Sequence, residues 1–245
     1  MPALLVHGNP DTSRLWEDVL PHLRDYGEEI VAVDLPGFAA PTPNGFDATK
    51  ESYVDWIIAQ LEDLAAAGPV DLVGHDWGSL LVQRIASLRP DLLSSVTAGG
   101  AAVDTEYPWH DIAQIWQTPG EGERYMAEEL TEEVSVPYLV ENGVPQRFAQ
   151  HNAWLTPGNK DCILALYRSA IHVGEEWQPD LERVAVPAMV IWGREDPYVP
   201  LNWGERLASR MKADFVVLEC GHWWPYERPQ ETAAALLSRW NSARG

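Results

Sequence analysis

The sequence predicts an α/β fold built on a mostly parallel sheet of six strands flanked by helices. Three observations carry that expectation. Six short apolar runs recur along the chain, helical-period segments separate most of them, and 245 residues with 46% hydrophobic content suit one sizeable core. Alternation of this kind argues for βαβ units, whose parallel strands are buried on both faces.

The first run is ALLV at 3–6, followed by helical spacing from Ser13 to Leu23 and then IVAV at 30–33. A second helix is expected from Thr49 to Ala66, with Asp47 or Thr49 as its cap, because a short side-chain oxygen can accept an orphan N–H of the first turn. VDLV at 70–73, a helix from Ser79 to Leu88 and SVTA at 95–98 continue the rhythm. It resumes with AMVIW at 188–192, a helix from Leu201 to Met211, FVVL at 215–218 and a helix from Pro229 to Trp240. Pro229 fits a first helical turn, where its missing N–H has no partner to lose.

Between about Ala101 and Pro179 no strand-like run recurs, and the gap is far too long for an ordinary connection. It reads as a helical cap, residues 101–179, inserted after the fourth strand into a core of residues 1–100 and 180–245. Ligands of open α/β sheets bind at the carboxyl edge, so a cap there would exclude water and shape a pocket. Trp109, Trp116, Trp154 and Trp177 would give that segment apolar surface.

Seventeen basic against 37 acidic residues leave a formal charge of −20, which repels phosphate backbones and anionic membranes. Neither nucleic acid nor a membrane is an expected partner. MPALLVHGNP has only a four-residue apolar run before polar turn residues, so a cytoplasmic protein is expected. Cys162 and Cys220 lack metal-site spacing and read as two reduced thiols; no metal and no cofactor is expected.

The chemistry centres on VGHDWGS at 73–79. Gly74 and Gly78 bracket Asp76 as G-x-D-x-G between a strand and a helix, the pattern of a nucleophile elbow with a carboxylate in place of serine. Alone it is weak, and an aspartate as simple turn or cap residue would win. Two later stretches change this. VIWGREDPYVP puts Asp196 just past one strand, and FVVLECGHWWPYERP puts His222 just past the next, so nucleophile, orienter and base lie in order at one sheet edge. LLVHGNPDTSRLW adds His7, Gly8 and Asn9 after the first strand, where the backbone N–H groups of Asn9 and Trp77 can form an oxyanion hole.

A serine that displaced a leaving group from saturated carbon would become an ether, which water cannot reopen. An aspartate becomes an ester, whose carbonyl a histidine-activated water can attack. The elbow carboxylate therefore suits substitution at an sp³ carbon.

With these motifs in hand, the chain resembles the α/β-hydrolase superfamily and, within it, the aspartate-nucleophile haloalkane dehalogenases and epoxide hydrolases. HGNP, VAVDLPGF, GHDWGS, a helical cap, WGREDPYVP and GHWWPYERP follow the family's order over nearly the whole chain. HGNPDTSRLW and GHDWGS are similar to dehalogenases, which implies that Asn9 and Trp77 hold a departing halide. IWQTPGEGE and LALYRSA resemble epoxide hydrolases and place Tyr167 as a cap proton donor; the partner tyrosine expected near Ile112 is missing, and Tyr107, Tyr125 or Tyr138 would have to substitute. The two leading strands usual in the family are absent, which predicts a six-stranded sheet whose first edge a second subunit covers. The resemblance thus implies a hydrolase for a small apolar organic substrate and water, with dehalogenation ahead of epoxide hydrolysis and, third, a related hydrolase of another substrate class or a cap-bearing binding protein without turnover.

Overall fold

In the computed structural model, which describes residues 1–152 and 157–243, six strands form one sheet in the order β2-β1-β3-β4-β5-β6. They are β1 (Ala3–Val6), β2 (Ile30–Val33), β3 (Val70–His75), β4 (Leu93–Gly99), β5 (Ala188–Gly193) and β6 (Asp214–Leu218). Every pairing is parallel, so the mostly parallel sheet expected from the sequence is parallel throughout. Successive side chains of a strand point to opposite faces. Leu4 and Val6 accordingly join one core cluster, while Ala3 and Leu5 join the other.

Helices α1 (Lys50–Ala65) and α2 (Trp77–Leu88) cover one face. Thr49 caps α1 by accepting the Ser52 N–H, and Asp47 in turn accepts from the Thr49 backbone and hydroxyl. Between β4 and β5 the described residues form helices only: α3 (Asp111–Gln117), α4 (Glu121–Glu128), α5 (Glu132–Glu141), α6 (Gln146–Asn152), α7 (Pro157–Ser169) and α8 (Val173–Trp177). Helix α9 (Leu201–Met211) follows β5, and α10 (Trp224–Glu227) and α11 (Pro229–Ala243) end the chain. Leu236 and Trp240 of α11 bury against the face opposite α1.

The helix expected over Ser13–Leu23 is replaced by two 3₁₀ segments, Ser13–Trp16 and Leu20–Tyr26. Pro21 is the reason. In mid-helix it would remove a hydrogen bond and clash with the preceding turn, but near the start of a new segment both penalties vanish. Trp177 packs beneath Lys50 and Arg84, whose cationic heads lie 5.7 and 5.6 Å from its ring, and not on the cavity described below. Trp154 lies outside the described residues. Among the described residues no helix is long and apolar enough to cross a membrane, and both cysteines are buried and free.

Candidate active site

Asp76 sits where β3 turns into α2, at φ 53° and ψ −120°, a conformation that L-residues avoid. The turn is this tight because the flanking glycines have no side chain to fit. A Cβ on Gly74 would lie 2.2 Å from the Gly78 carbonyl oxygen, and one on Gly78 would lie 2.4 Å from that of Val6. The Asp76 carbonyl accepts the Ser79 N–H at 2.8 Å and the Leu80 N–H at 3.3 Å, which makes Asp76 the cap and starts the helix at Trp77, two residues before the expected Ser79.

The loop after β1 meets this elbow. The Asn9 backbone N–H donates to Asp76 Oδ1 at 2.7 Å, an approach that Gly8 permits, since a Cβ there would stand 2.1 Å from the same oxygen. His7 fixes the loop from behind. Its Nε2 accepts the Leu35 N–H at 3.0 Å, so the hydrogen rests on Nδ1 and donates to the Gly8 carbonyl at 2.8 Å. Burial pulls the His7 imidazole down to about 4 and keeps it neutral, as that arrangement demands.

Asp196 and His222 reach the same place from the loops after β5 and β6. Asp196 Oδ1 accepts the Tyr198 and Val199 N–H groups, each at 2.9 Å, and Oδ2 lies 2.8 Å from His222 Nδ1. The opposite nitrogen, His222 Nε2, faces Asp76 Oδ2 at 3.6 Å. Burial pulls the His222 imidazole down, but the Asp196 charge and hydrogen bond, joined by Asp76, outweigh it and hold the group at about 10. Burial likewise pushes the Asp76 carboxyl up, yet His222, His75 and the Asn9 N–H together bring it below the ordinary carboxylate value. The resting pair is therefore carboxylate and imidazolium.

The sequence reading passed over His75 and Tyr198. His75 Nε2 lies 2.9 Å from the His222 carbonyl oxygen, and burial holds His75 down to about 4, so this nitrogen donates from a neutral ring. Tyr198 lays its ring edge-on to His222, 5.0 Å between centroids, and its hydroxyl pairs with that of Tyr138 on α5 at 2.6 Å. The turn residue two places after Asp196 was the available signal for Tyr198. For His75 there was only its seat beside Asp76.

A cavity of about 240 Å³ opens above Asp76, walled by Trp77, Leu80, Trp109, Trp116, Leu130 and Ile163. Tyr167 of α7 enters it with its ring edge-on to Trp77, centroids 5.0 Å apart. Burial and the Asp76 charge raise the Tyr167 phenol above its ordinary value, while the neighbouring Trp77 indole and Asn9 amide oppose the rise. The phenol is thus neutral and keeps its proton. Asn9, Trp77 and Tyr167 converge, whereas Tyr107 donates to the Tyr198 carbonyl at 3.3 Å and Tyr138 accepts from the Tyr198 hydroxyl; Tyr125 and Ile112 border the cavity.

Comparison with known proteins places this site in context. A haloalkane dehalogenase of Psychrobacter cryohalolentis is 32% identical over 115 residues, 46% of this chain and 37% of that protein. Epoxide hydrolase A of Mycobacterium tuberculosis is 23% identical over 292 aligned positions that cover 96% of this chain and 88% of the relative. A thermophilic esterase from Thermogutta terrifontis superposes with a TM-score of 0.81 at 21% identity, covering 100% of this chain and 91% of its own, a likeness of fold. The alpha/beta hydrolase family profile matches residues 3–235, and the chain belongs to that family.

Proposed function

We propose that this hydrolase acts at an sp³ carbon through a covalent ester on Asp76, and that its leading reaction is dehalogenation of a small haloalkane to an alcohol and halide. The observation that carries the reading is the two-sided hold on the Asp76 carboxylate: Asn9 N–H on Oδ1 and His222 facing Oδ2 beneath an apolar cavity. Oδ2 attacks the carbon in line, and the halide leaves as an anion toward the Asn9 amide, the Trp77 indole and the Tyr167 hydroxyl. Such donors matter most where water is excluded. Esterification erases the Asp76 charge, which lowers the His222 pKa so that Nε2 releases its proton to solvent with the departing halide and can then take one from water. That water attacks the Asp76 carboxyl carbon, the Asn9 N–H supports the oxyanion, and the alcohol departs.

Epoxide hydrolysis is the second reading, favoured by one observation. Tyr167 is a buried neutral phenol whose oxygen the Trp77 and Asn9 donors polarise, which suits it to protonate a ring oxygen. The same residues 101–179 serve as cap in both readings, and Asp196 orients His222 in both.

Incubation with short bromoalkanes and with simple epoxides, reading halide and diol separately, tests the proposal. Halide release exceeding diol formation is the expected result. Diol alone would replace the first reading by the second, and neither product would overturn both.

A further inference from the structure

The cavity wall reaches the surface along α5. Val134 and Tyr138 stand one turn apart on that helix, and both line the cavity although they are 56% and 40% exposed. A side chain that borders the cavity and also meets solvent marks its rim. Tyr198, another lining residue, belongs to the loop after β5, where its N–H donates to Asp196 Oδ1 at 2.9 Å and its ring lies edge-on to His222. The Tyr198 hydroxyl donates to the Tyr138 hydroxyl at 2.6 Å and so joins cap to core at the rim. Burial and that bond push the Tyr198 phenol up, so it keeps the proton it donates.

Along α5 this bond has little help. Among the described residues it is the only hydrogen bond or ion pair that an α5 side chain makes to another element, and Ser135, though buried, has no partner. The far end of the helix is anchored by packing: Leu139 is buried in the second core cluster, and the Gly143 backbone lies so close to Glu227 that a Cβ would stand 2.8 Å from its carboxyl carbon. The near end is looser. Glu132, Glu133 and Val134 are exposed, and Pro137 has no N–H to give the Glu133 carbonyl, so the turn that carries Tyr138 lacks one helical bond.

We propose that the Tyr138–Tyr198 hydroxyl pair is a latch on the cavity mouth: closed, it holds α5 at the rim, and open, it lets a neutral apolar ligand pass beside Val134. The fixed post is Tyr198, tied to Asp196, and the moving part is the near end of α5. Its value to catalysis rests on the aspartyl-ester reading, in which a closed mouth keeps bulk water from Asp76 while the carbon is attacked. Its existence does not, since entry of an unreactive ligand reports it.

Tyr198→Phe and Tyr138→Phe each delete the bond and keep both rings. Binding of 1-hexanol is followed by stopped-flow fluorescence of the cavity tryptophans. Each variant is expected to raise the association and dissociation rates together by about three- to tenfold, the size of one partly exposed hydrogen bond, with Kd changed by less than about twofold. The double variant should do no more than either single one, because there is one bond to lose. Amide hydrogen exchange over residues 132–141 should rise in the same non-additive way, with β3 and β5 unchanged. Unchanged rates, or single effects that add, overturn the latch, and so does faster exchange with unchanged rates. Should 1-hexanol give no signal, exchange in the ligand-free variants decides, a non-additive rise supporting the latch and no rise overturning it. Should no haloalkane or epoxide be turned over, the hydrolase reading has failed by itself, and these measurements, made without turnover, still decide.

Discussion

His222 Nε2 stands 3.6 Å from Asp76 Oδ2, longer than an ordinary hydrogen bond, while Nδ1 of the same ring is held at 2.8 Å by Asp196. The imidazole is thus fixed to Asp196 and only loosely engaged with Asp76. In the proposed reaction such spacing leaves Oδ2 free to attack carbon and Nε2 free to serve water afterwards.

His222→Gln is expected to stop turnover after the first step. Intact-mass spectrometry should then find a substrate-sized addition, mapped to Asp76 by peptide analysis, with one equivalent of halide released per protein. An unmodified mass with a substrate that the parent turns over would argue against covalent catalysis.

Asp196→Asn can keep its carbonyl oxygen as acceptor for the Tyr198 and Val199 N–H groups, which leaves an NH₂ donor facing His222 Nδ1. Steady-state kcat should fall by about 10³- to 10⁴-fold, as expected when a histidine loses its orienting carboxylate. Circular dichroism should be unchanged, and the adduct should form more readily than it decays.

Tyr167→Phe separates the two leaving groups. Halide release keeps the Asn9 and Trp77 donors and should drop about tenfold, whereas epoxide opening loses its proton source and should drop by about 10²-fold or more. Equal losses on both substrates would show that Tyr167 serves only to pack the cavity.

Stability should follow pH in two limbs, read as Tm. His7 and His75 fall to about 4 in the fold from an ordinary 6.5, so the unfolded chain binds more protons between those values and Tm declines as pH drops from about 6.5 toward 4. His222 is raised to about 10, so its contribution is complete below about 6.5 and is lost as pH climbs through 10. Asp11, raised to about 7 by burial against the opposing pull of Trp223, contributes below its unfolded value near 3.8 and loses that contribution as pH passes 7. Nitrogen-15 imidazole spectra at pH 6 should accordingly show His7 and His75 neutral with His222 protonated.

The strands were legible because the apolar runs of the four inner strands are buried and those of the edge strands β2 and β6 are half-buried. VDLV and AMVIW fall inside β3 and β5, and Leu201–Met211 matches α9 end for end. The elbow and its two partners were legible because strand ends fix where loops emerge. Pro21 could have warned against one continuous helix at 13–23, yet spacing alone favoured it. The Tyr138–Tyr198 pair could not be read at all. Its members are 60 positions apart, and no local pattern marks two hydroxyls that meet only when the cap packs on the core. The meeting of Tyr167 with Trp77 and Asn9 was hidden for the same reason, since it depends on how α7 packs over the sheet.

The narrow clearance between Gly8 and Asp76 acts as a gauge for the elbow carboxylate. One more methylene would drive the carboxylate about 1.5 Å farther, into a backbone that already leaves no room for a Cβ. Glutamate at position 76 could not keep its oxygen on the Asn9 N–H in the same pose and would have to turn up into the cavity, so the loop after β1 fits the shorter acid.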